Sequence, residues 1–305
     1  MAPGLRFMTP ILLIPARMAA TRLPGKPLAD IGGLPMIVRV LRQAEAAGIG
    51  PVAVAAGDAE IVEAVEAAGG RAVLTDPDLP SGSDRILAAL GALDPEGRFD
   101  VVINLQGDIP FIAPEAIRAC ADLLDQQPHA DISTVMVAEA GPEDRTNPDM
   151  PKVVAAMDPD GRSGRALYFT RSILYGDGPV WIHHGIYGYR RAALERFTAA
   201  PPSPLERRER LEQLRALEMG MTIWSAVLDE APVSVDNPAD LERARAHARR
   251  LRAPAGAATG SPSRESLGPT ATRPAWPPSR TWSQSRAPPS RRPSRPSARA
   301  SAGWA

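Results

Sequence analysis

The sequence predicts an α/β protein in which a parallel sheet, covered by helices on both faces, runs on into a mixed-sheet extension. Three observations carry this. Short apolar runs alternate with stretches of helical periodicity through the first half of the chain. Val101–Leu105 is apolar enough for a central strand with both faces covered. From residue 132 the alternation gives way to β-prone segments separated by Asp, Pro and Gly turns.

The elements follow in order. Residues 11–14 form a first buried strand, and a Gly/Pro-rich loop leads to a helix over Met36–Ala47 that Gly48 closes. A strand at 52–55, a helix at 59–68 ending in Gly69-Gly70, a strand at Ala72–Leu74 and a helix at 84–93 repeat the unit. The central strand Val101–Leu105 precedes a helix over 114–124, and Ile132–Ala138 opens the extension. There VVAAM, ALYF and GIYGY read as strands of an antiparallel or mixed sheet. Ser203-Pro204-Leu205-Glu206 is a helix start with a capping hydroxyl, Pro at N1 and an acid at N3. One helix is expected from there to Glu218, supported by Glu206 with Arg210 and Arg208 with Glu212 at i,i+4. A strand at 221–228 and a last helix from Asn237 to Ala248 complete the set.

The formal charge of zero hides an asymmetry. Residues 251–305 carry nine Arg and one Glu, a net +8, which leaves −8 on residues 1–250. An acidic body gives no footing for nucleic acid, so small molecules are the expected partners. Ten prolines with many Ser and Arg in residues 251–305 predict a disordered tail beyond a folded domain of residues 1–250. Cys120, the single cysteine, sits in a helical run and allows no disulfide within the chain, which suits a reducing compartment. The first apolar run stops at Ile14, and no stretch reaches the roughly 18 residues of a bilayer span. The expectation is a cytoplasmic protein without membrane insertion.

The richest chemistry lies directly after the first strand, in IPARMAATRLPGKPL (residues 14–28). Open α/β sheets place ligands at the carboxyl ends of their strands. Arg17, Arg22 and Lys26 put three cations there, and Gly25 allows close backbone approach. Arginine can grip phosphate oxygens bidentately while lysine acts as a point charge, so the set suits a triphosphate; solvated cations beside a turn glycine would look the same. Neither GxGxxG nor GxxxxGK[ST] occurs. Ser81-Gly82-Ser83-Asp84-Arg85 taken alone is a loop and N-cap. Gln106-Gly107-Asp108 follows the central strand, where a carboxylate can cap the next loop or hold a hard divalent cation. Asp236 stands in a turn before the last helix. His183 and His184 are adjacent in a strand, point to opposite faces and make a poor common metal pair.

IPARMAATRLPGKPL closely resembles the opening motif of the bacterial 3-deoxy-manno-octulosonate cytidylyltransferases, the CMP-KDO synthetases. PSGSDR, QGD, PKVV, ALYFTR, GIYGYR, SPLERRERLEQLR and VDNPADLERAR follow in the family's order, so the resemblance runs from about residue 9 to 245. It implies a nucleotide-diphospho-sugar-transferase-like Rossmannoid sheet, a homodimer, and transfer of CMP from CTP to the eight-carbon acid sugar for lipopolysaccharide biosynthesis. It also implies nucleotide binding by Arg17, Arg22, Lys26, Ser81, Gly82 and Arg85, and Mg²⁺ on Asp108 and Asp236. Arg17, Lys26, Asp108 and Asp236 are the implied catalytic set. The implied sugar site comprises Gln106, Lys152, Arg171, His183, Tyr187 and Gln213, with Arg171 on the sugar carboxylate. The chain departs from the family at Leu79, often His, at Ser83, often Thr, and at Ile109, commonly acidic.

Competing readings are a cytidylyltransferase for another acidic sugar, a glycosyltransferase, and a non-enzymatic sugar-nucleotide sensor. Gly107-Asp108-Ile109 lacks the DxD of many glycosyltransferases, and both expected metal aspartates speak against a sensor.

Overall fold

A computed structural model of the chain describes residues 8–19, 22–176 and 178–252. Almost all of the segment expected to be disordered lies outside the described residues.

The first half alternates as its hydrophobic pattern requires: β1 (Pro10–Ala16), α1 (Met36–Ala47), β2 (Val52–Ala56), α2 (Ala59–Ala67), β3 (Ala72–Leu74), α3 (Gly82–Leu93), β4 (Val101–Leu105) and α4 (Pro114–Gln126). Then come β5 (Ile132–Ala138), α5 (Pro142–Thr146), β6 (Lys152–Met157), β7 (Ser163–Thr170), β8 (Trp181–Arg190) and α6 (Arg191–Ala199). The chain continues through α7 (Pro204–Glu209), α8 (Gln213–Glu218), β9 (Ile223–Leu228) and α9 (Pro238–Arg252).

The strands form one sheet in the order β3-β2-β1-β4-β8-β5-β9-β7-β6. β1, β2, β3 and β4 run parallel. β8 then enters antiparallel to both β4 and β5, which turns the sheet from parallel to mixed at its centre. Every residue of β4 is buried, as its apolar run predicts. Because side chains alternate along a strand, Leu12, Ile14 and Ala16 of β1 pack with α1, α2 and α4, while Ile11 and Leu13 pack with α3, α6 and α8 on the other face.

The structure corrects the sequence reading around residues 204–218. The predicted capping box at Ser203 and Glu206 forms, but the single helix does not: Arg210 adopts φ 55°, the one non-glycine residue with positive φ among those described, and separates α7 from α8. The expected i,i+4 pairs are replaced. Glu206 takes the guanidinium of Arg215 at 2.6 and 2.8 Å, and Arg208 donates to the Tyr168 hydroxyl at 2.9 Å. Local pairs on an exposed helix face contribute only about 0.2–0.5 kcal/mol. The break instead buries Leu211 and Leu214 and sets Arg215 4.7 Å over the Phe197 ring. α6 is a further departure, since residues 191–199 carried no helix in the sequence reading. α9 runs to Arg252, past the expected end at Ala248.

Beneath the sheet, Asp94 has no exposed side-chain surface. Burial opposes its ionisation, but the amides of Phe99 and Arg98 and the guanidinia of Arg191 and Arg98 outweigh burial, holding the carboxyl well below its ordinary range. A depressed folded-state value stabilises the fold above the unfolded value of about 3.9 and loses that contribution as pH falls towards the folded value. Asp94→Asn should therefore destabilise the neutral-pH protein by about 3 kcal/mol. It should also flatten the acid limb of a stability profile, measured by denaturant unfolding between pH 3 and 7. An unchanged midpoint at pH 7 refutes this role.

Candidate active site

The carboxyl ends of β1 and β4, with the segment between β3 and α3, open onto a cavity of about 340 Å³. Its walls are the loops those strands feed. After β1 the chain turns at Gly25, whose φ of 70° is left-handed, and presents Lys26 at the start of a short 3₁₀ turn. The Asp58 carboxylate, at the head of α2, accepts the Met18 amide at 2.7 Å and ties this loop to the sheet. At the end of β4, a Cβ on Gly107 would lie 2.9 Å from the Pro15 carbonyl, so only glycine lets these loops meet without displacement.

Every residue assigned to nucleotide or metal lines this cavity: Arg17, Arg22, Lys26, Ser81, Gly82, Arg85, Asp108 and Asp236. The departure residue Leu79 lines it too, whereas Ile109 packs into the core and offers no third carboxylate. Ser81 caps α3, accepting the Asp84 amide at 3.1 Å. Arg85 is buried and donates to Thr75 Oγ1 at 2.7 Å and to the carbonyls of Asp76 and Pro77 at 2.9 and 3.1 Å. Burial, and then Arg17, lower its pKa. Arg85 thus shapes the loop before α3 from within, while Arg17 is exposed at the cavity.

Asp108 and Asp236, far apart in sequence, converge on one ammonium: Lys26 Nζ is 2.9 Å from Asp108 Oδ2 and 3.3 Å from Asp236 Oδ1. Arg22 reaches Asp236 at 3.3 Å. Asp236 is held there by α9. The Val235 amide donates to the Asp108 carbonyl at 2.9 Å, and Asp240 accepts the Asp236 and Asn237 amides at 2.8 and 3.2 Å. Val235, Leu241, Ala244 and Ala248 pack on Ile31 and Met36.

The residues assigned to the sugar lie elsewhere on the sheet, with Gln106 as the link: it lines the cavity, and the site of a Cβ on Gly185 in β8 lies 3.7 Å from its Cγ. His183 Nε2 is 2.9 Å from Thr134 Oγ1, whose hydroxyl also sits 2.7 Å from the Ile186 carbonyl. If the hydroxyl donates to that carbonyl, as the shorter contact indicates, His183 carries its proton on Nε2 and leaves Nδ1 as an acceptor. Burial, and then His184, push His183 down to about 3, so it is neutral at ordinary pH. Burial also raises Tyr187 well above its usual range and lowers His184 to about 4.

Lys152 is fully buried, its ammonium donating to the Asn147 carbonyl. Burial, and then Arg171, lower its pKa. Arg171 donates to the carbonyls of Glu209 at 3.0 Å and Pro148 at 2.8 Å. Two neighbouring cations are thus met mainly by carbonyls, an environment that favours an anionic ligand. Gln213 Nε2 and Glu212 Oε1 are buried without a hydrogen-bond partner. Burial foremost raises the Glu212 pKa. Sequence reasoning missed Glu212 as a site candidate, having treated it as one end of a surface helix pair, and missed Asp58, whose only signal was its place before a helix.

A mixed sheet with a cation-lined cavity at the carboxyl ends of its parallel strands is the arrangement of a nucleotidyltransferase. A cytidylyltransferase family model matches residues 11–223. The 3-deoxy-manno-octulosonate cytidylyltransferase of Parvibaculum lavamentivorans is 58% identical over 238 residues, 78% of this chain and 92% of the relative. That of Azorhizobium caulinodans is 60% identical over 237 residues, covering 77% and 94%. A solved CMP:2-keto-3-deoxy-manno-octonic acid synthetase complexed with CTP is 36% identical with a TM-score of 0.73, covering 80% of this chain and 99% of that one. The chain belongs to the 3-deoxy-manno-octulosonate cytidylyltransferase family.

Asp58→Ala removes the acceptor of a partly buried amide and should cost about 1–3 kcal/mol, read by thermal unfolding, with nucleoside triphosphate binding weakened in calorimetry. Asp58→Asn, which keeps an acceptor, should recover part of both. Unaltered triphosphate binding in Asp58→Ala contradicts the loop-anchoring role.

Proposed function

We propose that the chain transfers CMP from CTP to 3-deoxy-manno-octulosonate, giving CMP-3-deoxy-manno-octulosonate and pyrophosphate for lipopolysaccharide biosynthesis, in a magnesium-dependent direct displacement. The observation that supports it most is the convergence of Asp108, Asp236 and three cations in one cavity that Gln106 joins to a second, cation-paired region. The anomeric hydroxyl oxygen bonds to the α-phosphorus, the bond to the β-phosphate oxygen breaks, pyrophosphate leaves and the hydroxyl proton is released. Positioning and charge neutralisation dominate such chemistry.

Arg17, Arg22 and Lys26 neutralise the triphosphate and then the departing pyrophosphate. Ser81 and Gly82, at the start of α3, offer local contacts to the nucleotide, and Arg85 keeps the preceding loop in shape. Lys152 and Arg171 receive the sugar carboxylate. His183 Nδ1 and the orphaned Gln213 amide present an acceptor and a donor to sugar hydroxyls, beside Tyr187. The donor set on Asp108 and Asp236 fits Mg²⁺: two hard oxygens already share one cationic point, and such sites are completed by phosphate oxygens and water. Among the described residues no group of three or more His, Cys, Asp and Glu side chains forms a protein-only cage. When bound there, the ion supplies polarisation of the α-phosphate and offsets developing charge.

Among the described residues, no helix is long and apolar enough to cross a membrane, in keeping with a cytoplasmic location. The exposed apolar side chains of Leu167, Ile173 and Tyr175, on β7 and the segment after it, support a homodimer through this surface.

Product identification from CTP, Mg²⁺ and a panel of acid sugars tests the whole reading; preferential turnover of another acidic sugar or of a glycan acceptor overturns it. Asp108→Asn and Asp236→Asn should keep the fold and lower the single-turnover rate at least about 100-fold, since each removes a ligand charge. Arg171→Leu should raise the KM for the sugar about 10- to 100-fold while leaving that for CTP nearly unchanged. Equal rises for both substrates argue for a structural role of Arg171 instead.

A further inference from the structure

Lys26 sits where a cation is needed, not only where a phosphate is. Its ammonium lies between the two carboxylates at 2.9 and 3.3 Å, and its side chain is only 13% exposed, against 67% for Arg22. A lysine ammonium is a compact point charge, and here it bridges Asp108 and Asp236 as an internal counter-ion, with Arg22 also 3.3 Å from Asp236. Direct Mg²⁺ coordination holds oxygens at about 2.0–2.1 Å, closer than any ammonium contact. Ion and ammonium therefore cannot share the point, and metal entry must expel the lysine. A largely buried ammonium leaves its carboxylates readily only if another anion receives it. The cavity provides room for that anion on the same side as Arg17 and Arg22.

We propose that Lys26 is a specificity-determining counter-ion: it closes the Asp108–Asp236 site to free divalent metal and yields it when triphosphate oxygens capture the ammonium, so that the enzyme selects the metal–CTP complex. This rests on the assignment of Asp108 and Asp236 as the metal carboxylates. It differs from a lysine that only binds phosphate, because it couples metal and nucleotide binding through one side chain. Such coupling is reciprocal: metal at the carboxylates frees the ammonium for the triphosphate as much as the triphosphate frees the carboxylates for metal.

The test is Mn²⁺ binding to the full chain, followed by electron paramagnetic resonance with and without CTP and with no sugar present. Without CTP the wild type should bind Mn²⁺ weakly. Lys26→Met should bind it about tenfold more tightly, and the enhancement of Mn²⁺ affinity by CTP should shrink by the same factor. Lys26→Arg, which keeps a cation but not a compact one, should gain less than Lys26→Met, and Lys26→Met with Asp108→Asn should lose the gain. If Lys26→Met is folded by circular dichroism and binds free Mn²⁺ no better than wild type, while CTP-dependent Mn²⁺ binding still requires Asp108 and Asp236, the counter-ion role is overturned and the metal assignment stands. If Asp108→Asn and Asp236→Asn bind Mn²⁺ with CTP as wild type does, the metal assignment itself fails.

Discussion

The contact on which the rest of the site depends is the one between the backbone after β4 and the backbone before α9, where the Val235 amide meets the Asp108 carbonyl. Two like charges do not gather unaided. Asp108 and Asp236 stay together because this bond fixes their main chains, because Asp240 orders the turn that carries Asp236, and because Lys26 cancels their repulsion. α9 contributes through packing. Val235, Leu241, Ala244 and Ala248 close over Ile31 and Met36, and Phe111 meets His247 edge-on at 4.6 Å, with the Arg39 guanidinium 5.4 Å over the Phe111 ring. A helix at the far end of the domain is thereby part of the same site as the loop after β1.

The sheet explains why a second recognition region lies beside the first. β8 inserts antiparallel between β4 and β5, so its middle residues lie alongside the carboxyl end of β4, with Tyr187 paired to Asn104 and Ile186 to Leu105. The antiparallel direction carries His183 and Gly185 past the end of β4, Gly185 next to Gln106. A fully parallel continuation would have put these residues at the opposite end of the sheet. The change in strand direction is thus what sets the residues proposed for the sugar next to the cavity proposed for the nucleotide.

Most of the framework was legible because it follows from periodicity. The alternation through β4 and the Ser203 capping box required only spacing and local chemistry, and both are present. The α7–α8 break was not legible. No glycine marks it, and Arg210 accepts a left-handed conformation because Arg215 gains Glu206 and Phe197, partners no local rule identifies. In the site, cations after a first strand and an acid after a central one could be read as ligand chemistry from position alone. Asp236 could not: its role depends on α9 folding back, and only resemblance to a family pointed to it. Glu212 was obscured by the same helix break, since its burial exists only once α8 turns inward.

The two regions treat their ligands by different physics. In the cavity, Arg17 and Arg22 are exposed, so any attraction they exert on an anion is long-ranged and screened by salt. Around β8, Lys152, His183 and Gln213 are buried, His183 and Tyr187 are neutral at ordinary pH, and Lys152 and Arg171 are the cations among the residues assigned there. Buried polar groups without partners are costly, and Gln213 Nε2 is such a group, which a hydroxyl-bearing ligand relieves. Recognition of that kind discriminates by matching donors and acceptors, because a ligand that leaves them unmatched pays their desolvation without return. On the proposed function, the cavity would gather the multiply charged nucleotide by long-range attraction, and the region around β8 would choose the sugar by matching donors and acceptors.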